Sequence, residues 1–138
     1  MKFMMIMRAT EAAKAAYEEM DFEAVINAMG AYNEAMMNAG VLLQGEGLAD
    51  DMTANFVVDF DAETPIVTDG PYGETHELFN GFWIIEVSSK QEAIEWASRA
   101  PLGPGSKLEV REIPSFAETF EDYADNEFVK KGVERRAD

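Results

Sequence analysis

The chain has 138 residues, a hydrophobic fraction of 47%, no cysteine, one histidine and a formal net charge of −16 at pH 7. These values predict one folded domain with its own core, and the lack of cysteine excludes disulfides and thiolate chemistry. So acidic a chain is repelled by nucleic acid and by anionic membranes, and neither is an expected partner. A single histidine excludes a multi-His centre within one subunit, and we expect neither metal nor cofactor.

The N-terminal segment is a short apolar run between Lys2 and Arg8. Its five apolar residues are too few for the core of a signal peptide or for a membrane span. They suit a strand that is covered on both faces. A cytoplasmic location is the default expectation.

Two helical segments follow. Residues 10–19, rich in Ala and Glu, predict a short helix or an ordered loop, and Asp21 can cap a longer helix that ends at Gly40. The longer segment carries apolar residues at steps of three and four, a spacing that predicts one buried helix face. These residues are Phe22, Val25, Ile26, Met29, Tyr32, Met36 and Met37.

Extended segments come next. Residues 41–48 predict a strand in which two glycines flank Glu46, a pattern typical of a bulge or of close approach by another group. Residues 53–60 alternate in polarity and residues 66–68 return beside them, which predicts an inserted hairpin.

The second half of the chain repeats the strand, helix, strand pattern. Residues 82–87 are apolar on both sides apart from Glu86, which indicates a central strand. Ser89 and Glu92 form a capping box that opens a helix. Residues 107–113 alternate in polarity and predict the last strand.

Residues 115–138 differ in composition from the rest, with seven acids, four bases and aromatic residues at roughly helical spacing. We predict an α+β domain over residues 1–114, followed by a helical appendage and a frayed tail. The aromatic side chains are expected to pack on the body or on another subunit. They are Phe116, Phe120, Tyr123 and Phe128.

The order of these elements predicts the α+β class and a ferredoxin-like two-layer sandwich with an inserted β-hairpin. Two helices cover only one face of such a sheet, yet the other face is apolar as well. A second copy is the simplest cover, so we expect a homodimer through the sheet faces. The apolar residues of that face include Met4, Ile6, Phe82 and Ile84.

The segment DGPYGETHELFNGFW, residues 69–83, resembles the motif of the DGPF family, a branch of the YCII-related proteins with a pattern close to DGPFAExKExxxGF. AYNEAMMNAGVLLQGEGL and VSSKQEAIEWASRAP are similar to two further blocks, so that the resemblance covers residues 2–113. The resemblance implies a dimeric α+β barrel in which the bare sheet faces of two subunits meet.

The resemblance implies less about activity. YCII relatives are described as enzymes with a His–Asp pair whose histidine lies near the first helix, but this chain has no histidine before His76. His76 also stands where the family usually has Lys, and Tyr72 where it usually has Phe. Some relatives are fused to, or encoded beside, sigma factors, which implies a regulatory context.

Candidate chemistry concentrates in the same segment. Asp69-Gly70-Pro71 is a turn signature, and a carboxylate held at such a turn can also act as a base. Glu74 lies close in sequence to His76, and a carboxylate near imidazole raises the imidazole pKa. Asp69, Glu74 and His76 are therefore the candidate catalytic residues, with a structural turn and an exposed loop histidine as the alternatives.

Candidate ligand contacts come from four further residues. Arg8 ends the first strand and can bind a carboxylate, or pair with a glutamate such as Glu46 or Glu86. Tyr72 and Trp83 can line a pocket for a flat ligand, or pack in the core or an interface. Glu46, between its glycines, completes the candidate substrate-binding set.

Two functions fit these residues. The first is a cofactor-independent acid–base enzyme of the isomerase, lyase or dehydrohalogenase type, acting on a small anionic or ring substrate. The second is a non-catalytic module that binds a small molecule or a protein partner in a regulatory context such as sigma-factor-associated proteins.

Overall fold

A computed structural model describes residues 1–48, 54–69 and 78–137. The strands are β1 (Lys2–Ala9), β2 (Leu42–Gly47), β3 (Phe56–Asp59), β4 (Ile66–Asp69), β5 (Leu78–Glu86) and β6 (Lys107–Ile113). The helices are α1 (Glu11–Glu18), α2 (Phe22–Asn38), α3 (Lys90–Ser98), α4 (Phe116–Thr119) and α5 (Glu127–Arg136), with a 3₁₀ turn at Glu121–Tyr123.

Four strands form one antiparallel sheet in the order β2-β5-β1-β6, and β3 pairs with β4 as a separate two-stranded hairpin. The ferredoxin-like α+β fold with an inserted hairpin is therefore confirmed. β5 is a central strand, as predicted, because it pairs with β2 on one side and with β1 on the other. It begins at Leu78, earlier than the sequence indicated.

The hydrophobic core lies between the sheet and α2 and α3. Alternate residues of β1 and β5 point to this side, and the register of the two strands sets Met5 beside Trp83 and Phe3 beside Ile85. Burial of each such side chain contributes about 1.5–3 kcal/mol. The helices complete the core with Tyr32, Met36 and Ala93.

The ends of α2 follow the sequence. The Asp21 carboxylate accepts a hydrogen bond from the backbone N–H of Glu23 at 3.2 Å, which caps the first turn. At the other end Gly40 has a φ of 71°, a left-handed conformation that glycine adopts without strain.

The predicted apolar stripe of α2 is only partly buried. Tyr32 and Met36, one turn apart, are buried against the sheet. Ile26 and Met37 are 53% and 63% exposed because each follows an inward-facing residue and is rotated by about 100° from it. Phe22, in the first turn, is 60% exposed. The stripe is thus wider than the surface that the sheet offers.

One of the two hydrogen bonds of the capping box at the start of α3 forms as predicted, and the other goes to the preceding residue. Ser89 Oγ accepts a hydrogen bond from the Glu92 backbone N–H at 3.1 Å, as predicted. The Glu92 carboxylate, however, accepts from the Ser88 hydroxyl at 2.5 Å and from the Ser88 N–H at 2.9 Å. These bonds hold the pKa of Glu92 below its usual value.

The strand β2 shows the close approach predicted at its glycines. A β-carbon added at Gly45 would lie 2.7 Å from Cδ1 of the buried Trp83, so the strand passes directly over the indole. The irregularity in pairing lies elsewhere, between Leu42 and Gln44.

The C-terminal unit, residues 115–137, packs largely on itself. The Phe116 ring lies against Gly132 of α5, the Arg136 guanidinium lies 4.1 Å from its centre, and Phe120 stacks at 4.8 Å. Helix α5 continues to Arg136, where the sequence predicted a frayed tail. Two aromatic side chains of this unit remain largely exposed, Tyr123 at 66% and Phe128 at 76%.

Gly45→Ala should destabilise the protein by about 1–3 kcal/mol, because the new methyl group forces the buried indole of Trp83 to move. Gly47→Ala is the matched control, since nothing lies within 4 Å of a β-carbon at that position of the same strand. Urea denaturation followed by tryptophan fluorescence measures both. Equal stabilities for the two variants would contradict the close approach.

Glu92→Gln should lower the melting temperature at pH 7. A carboxylate whose pKa is lowered in the folded state stabilises the fold above its unfolded-state pKa of about 4.3, and this stabilisation is lost as the pH falls through the folded-state pKa. The difference from the wild type should therefore narrow in melts below about pH 4. Glu95→Gln, on the same helix, controls for the change in net charge. A difference in melting temperature that does not change with pH would contradict the stabilising role of the Glu92 carboxylate.

Candidate functional site

The side of the sheet that faces away from α2 and α3 is here called the open face. On this side the register of β1 and β5 pairs Met4 with Ile84 and Ile6 with Phe82. Ile6 is buried and the other three side chains are half-buried. These four residues form the apolar centre of the open face, and the sheet is apolar on both sides, as the sequence predicted.

Charged side chains surround the apolar centre. By strand register, four bases and three acids lie on the open face, whereas the whole chain has a net charge of −16. An anionic ligand therefore meets less repulsion here than over the average surface of the chain. The bases are Lys2, Arg8, Lys107 and Arg111, and the acids are Glu46, Glu86 and Glu109.

Arg8 lies near one end of the open face, directly opposite Lys107 on β6. Its Nη2 is 3.7 Å from Oε2 of Glu109, with the two side chains 34% and 39% exposed. The sequence suggested Glu46 or Glu86 as the acidic neighbour. The register explains the difference, because Glu86 pairs with Lys2 at the far end of β1, and Glu46 lies two strands away on β2.

Glu46 lies on β2 opposite Phe82, so that it shares the open face with Arg8. Its side chain is exposed at the edge of the sheet. The two predicted ligand contacts therefore lie on one face, Arg8 at one end of the apolar centre and Glu46 at its β2 edge.

Trp83 lies on the other side of the sheet, with 3% of its surface exposed. Its Nε1 donates a hydrogen bond to Oδ1 of Asn33 at 2.8 Å, and the Tyr32 ring packs edge-on at 5.3 Å. Tyr32 in turn donates from its hydroxyl to the carbonyl of Trp96 at 2.7 Å, and burial raises the pKa of Tyr32 to about 12. Trp83 thus ties α2 to the sheet, Tyr32 links α2 to α3, and Trp83 does not share a face with Arg8.

The remaining predicted site residues belong to the segment between β4 and β5. Asp69 is the last residue of β4 and pairs with Phe56 of β3. Tyr72, Glu74 and His76 lie outside the described residues, and their roles stay predictions.

This segment rejoins the sheet beside Arg8. Leu78, the first residue of β5, pairs with Ala9, the neighbour of Arg8 on β1. This proximity could not be predicted from the local sequence, because it depends on the register between strands about 70 residues apart.

Three charged residues of β6 were missed as site candidates. Lys107, Glu109 and Arg111 all lie on the open face, next to β1. Their alternation in KLEVREI placed them on one side of a strand, but which side faced the helices was not evident from the strand alone.

Metal-binding clusters and membrane-spanning helices bear on the class of protein. Within the described residues, no cluster of three or more His, Cys, Asp or Glu side chains is arranged to hold a metal ion. The helices of the described segments include none long and apolar enough to cross a membrane.

The fold and the open face together define a small α+β domain with helices on one side of an antiparallel sheet and an apolar, charge-rimmed surface on the other. A family model for the YCII-related domain matches residues 1–117, and the chain belongs to the YCII-related family. The resemblance noted in the sequence is therefore confirmed. No curated protein matches the chain. The family match includes Phe116 but leaves α5 outside.

Glu109→Gln should cost less than about 1 kcal/mol of stability relative to Glu112→Gln, because the Arg8–Glu109 pair is partly exposed and 3.7 Å long. Glu112 is the matched control, since it lies on the same strand with the opposite orientation. The difference in stability between the two variants should shrink in 1 M salt, where charges are screened within about 3 Å. A loss above about 2 kcal/mol would contradict this weak pairing.

Proposed function

We propose that this protein is a homodimeric domain that binds a small anionic or ring-shaped molecule at the Arg8 end of the open face and catalyses a cofactor-independent acid–base reaction on it. A proton shift, a lyase step or a dehydrohalogenation on such a molecule can proceed with a positioned base and an anion-binding group, without a cofactor. The observation that carries the proposal is the position of Arg8, beside the apolar centre and beside the point where the segment carrying the candidate acids rejoins the sheet.

The chemistry follows from these neighbours. A guanidinium binds a carboxylate through two parallel hydrogen bonds, which orients the ligand as well as attracting it. The half-buried side chain of Phe82, which packs beside Ile6, offers a surface for the hydrocarbon part of such a ligand. In this proposal Asp69 and Glu74 move the proton and His76 assists, while Glu46 and Tyr72 line the site.

The dimer supplies the enclosure that the reaction needs. Two open faces packed against each other bury both apolar centres and leave the charged rims at the edge, in the manner of a dimeric α+β barrel. A stable pairing of this kind buries more than about 1,200 Å² in total. A cytoplasmic location, without nucleic-acid or membrane partners, accords with the acidic composition of the chain.

A non-catalytic binding module is the second candidate. An apolar centre within a charged rim is also the anatomy of a surface that binds another protein. The exposed aromatic side chains of the C-terminal unit add a second such surface. This function needs no proton transfer and no contribution from Asp69 or His76.

The proposal is tested first by binding. A panel of small aliphatic and ring carboxylic acids is screened by NMR, and Arg8→Gln should weaken the binding of a hit at least about tenfold, because the ion pair to the ligand is lost. Arg111→Gln is the control, since Arg111 lies on the same face at a distance from this end. Equal losses of ligand affinity in both variants would show a general effect of charge and would contradict binding at Arg8.

Asp69→Asn then separates the two candidates. If Asp69 is the base, this variant keeps its ligand affinity and its stability while turnover of an identified substrate falls at least about 100-fold. Retained turnover would remove Asp69 from the mechanism. Ligands that bind at the Arg8 end but are never converted by the wild type would favour the binding module.

A further inference from the structure

Two elements outside the sheet carry exposed apolar side chains. On the hairpin of β3 and β4, register places Phe56, Val58 and Val67 on one side, and the first and last of these are 57% and 63% exposed. Phe60, which follows β3, is 75% exposed. On the C-terminal unit Phe128 is 76% exposed. Apolar surfaces of this kind mark sites of association.

The two elements join the sheet at opposite ends. β2, which leads into the hairpin, ends beside Gly81, and β5, which follows the hairpin, starts opposite Ala9 near Arg8. The C-terminal unit follows Ile113, which pairs with Lys2. The eight residues of β1 span about 25 Å between these ends. The exposure of Phe60 and Phe128 shows that neither element covers the other within one chain.

The charges of the hairpin and of α5 are complementary. Residues 54–69 contain four acids and no base, whereas α5 contains four bases and two acids. One of these acids, Glu127, pairs with Lys131 along the helix, with Oε1 and Nζ 2.8 Å apart. On α5 the exposed residues Phe128, Lys131 and Arg135 stand at positions i, i+3 and i+7, which places them on one stripe of the helix. Two hairpins placed together would repel each other, but a hairpin placed on this stripe matches apolar with apolar and acid with base.

We infer that the hairpin of one subunit docks on the α5 stripe of a second copy, and that this contact occurs twice in the dimer. The inference rests on the proposed dimer and adds its direction. Aligned packing of two open faces lets the strands of the two subunits run either the same way or opposite ways. Only opposite directions bring the hairpin end of one sheet over the C-terminal end of the other.

The charges of the open faces do not select between these directions, because each direction creates both matched and like-charged contacts. With the two-fold axis across the middle of β1, the register of the sheet would place Arg111 over Glu109 of the partner subunit in the opposite-direction arrangement, but would also place Lys2 over Arg8 of the partner subunit. The contact between the hairpin and α5 therefore determines the relative direction of the strands in the two subunits. One consequence is that the C-terminal unit of the partner subunit borders the Arg8 end, so that each ligand site is completed by the second copy.

Thiol cross-linking tests the direction, because the chain has no cysteine of its own. Val67→Cys marks the hairpin, at a side chain that is 63% exposed, and Lys131→Cys marks the α5 stripe, at a side chain that is 64% exposed. A short bismaleimide should give covalent dimers from an equimolar mixture of the two single variants and little from either alone. Efficient linking of Val67→Cys to itself would establish the same-direction arrangement and overturn the inference.

Light scattering on the untreated mixture distinguishes the possible failures. A monomer at micromolar concentration overturns the proposed dimer together with the contact between hairpin and α5. A dimer that gives no cross-link between hairpin and helix overturns that contact alone and leaves the pairing of the open faces intact.

Charge reversal supplies a second measurement. Arg135→Glu should weaken dimerisation by roughly tenfold, because it places an acid against the acidic hairpin. Lys130→Glu is the matched control on the same helix, since residue 130 lies off the stripe. Circular dichroism verifies that α5 stays helical in both variants. Equal effects from the two reversals would contradict docking on the stripe.

Discussion

The pairing of β1 with β5 is the constraint on which the rest of the structure depends. One register sets Met5 beside Trp83 on the helix side and Ile6 beside Phe82 on the open face. A shift of this register by one residue would exchange the two sides of β5 and remove Trp83 from the core. Both the core and the apolar centre of the open face therefore follow from a single strand pairing between the two halves of the chain.

Much of this arrangement was predictable from local sequence. The Asp21 cap, the left-handed Gly40, the alternation of residues 107–113 and the apolar residues 82–87 each depend on neighbours in the chain, and the structure agrees with them. The acidic neighbour of Arg8 and the core position of Trp83 could not be predicted in the same way. Both depend on which strand lies beside which, and on which side of the sheet the helices pack.

Trp83 shows how a residue next to the family motif can serve the fold rather than the site. It directly follows the last motif position, Phe82, in a segment rich in polar residues, yet its indole packs on Tyr32 and donates to Asn33 on the helix side of the sheet. Phe82 lies on the open face, the side that also carries Arg8. In a central strand, adjacent residues necessarily contribute to different surfaces.

The contact between Phe116 and α5 also joins the part of the chain that matches the family to the part that does not. Phe116 lies within the match, whereas its partners Gly132 and Arg136 lie outside it. Arg136 additionally donates to the carbonyl of Gly132 at 3.1 Å, so that the two residues that contact the Phe116 ring are held within one helical turn. A β-carbon at position 132 would meet the Phe116 ring, so the way α5 lies against the family domain depends on a glycine that the family match does not include.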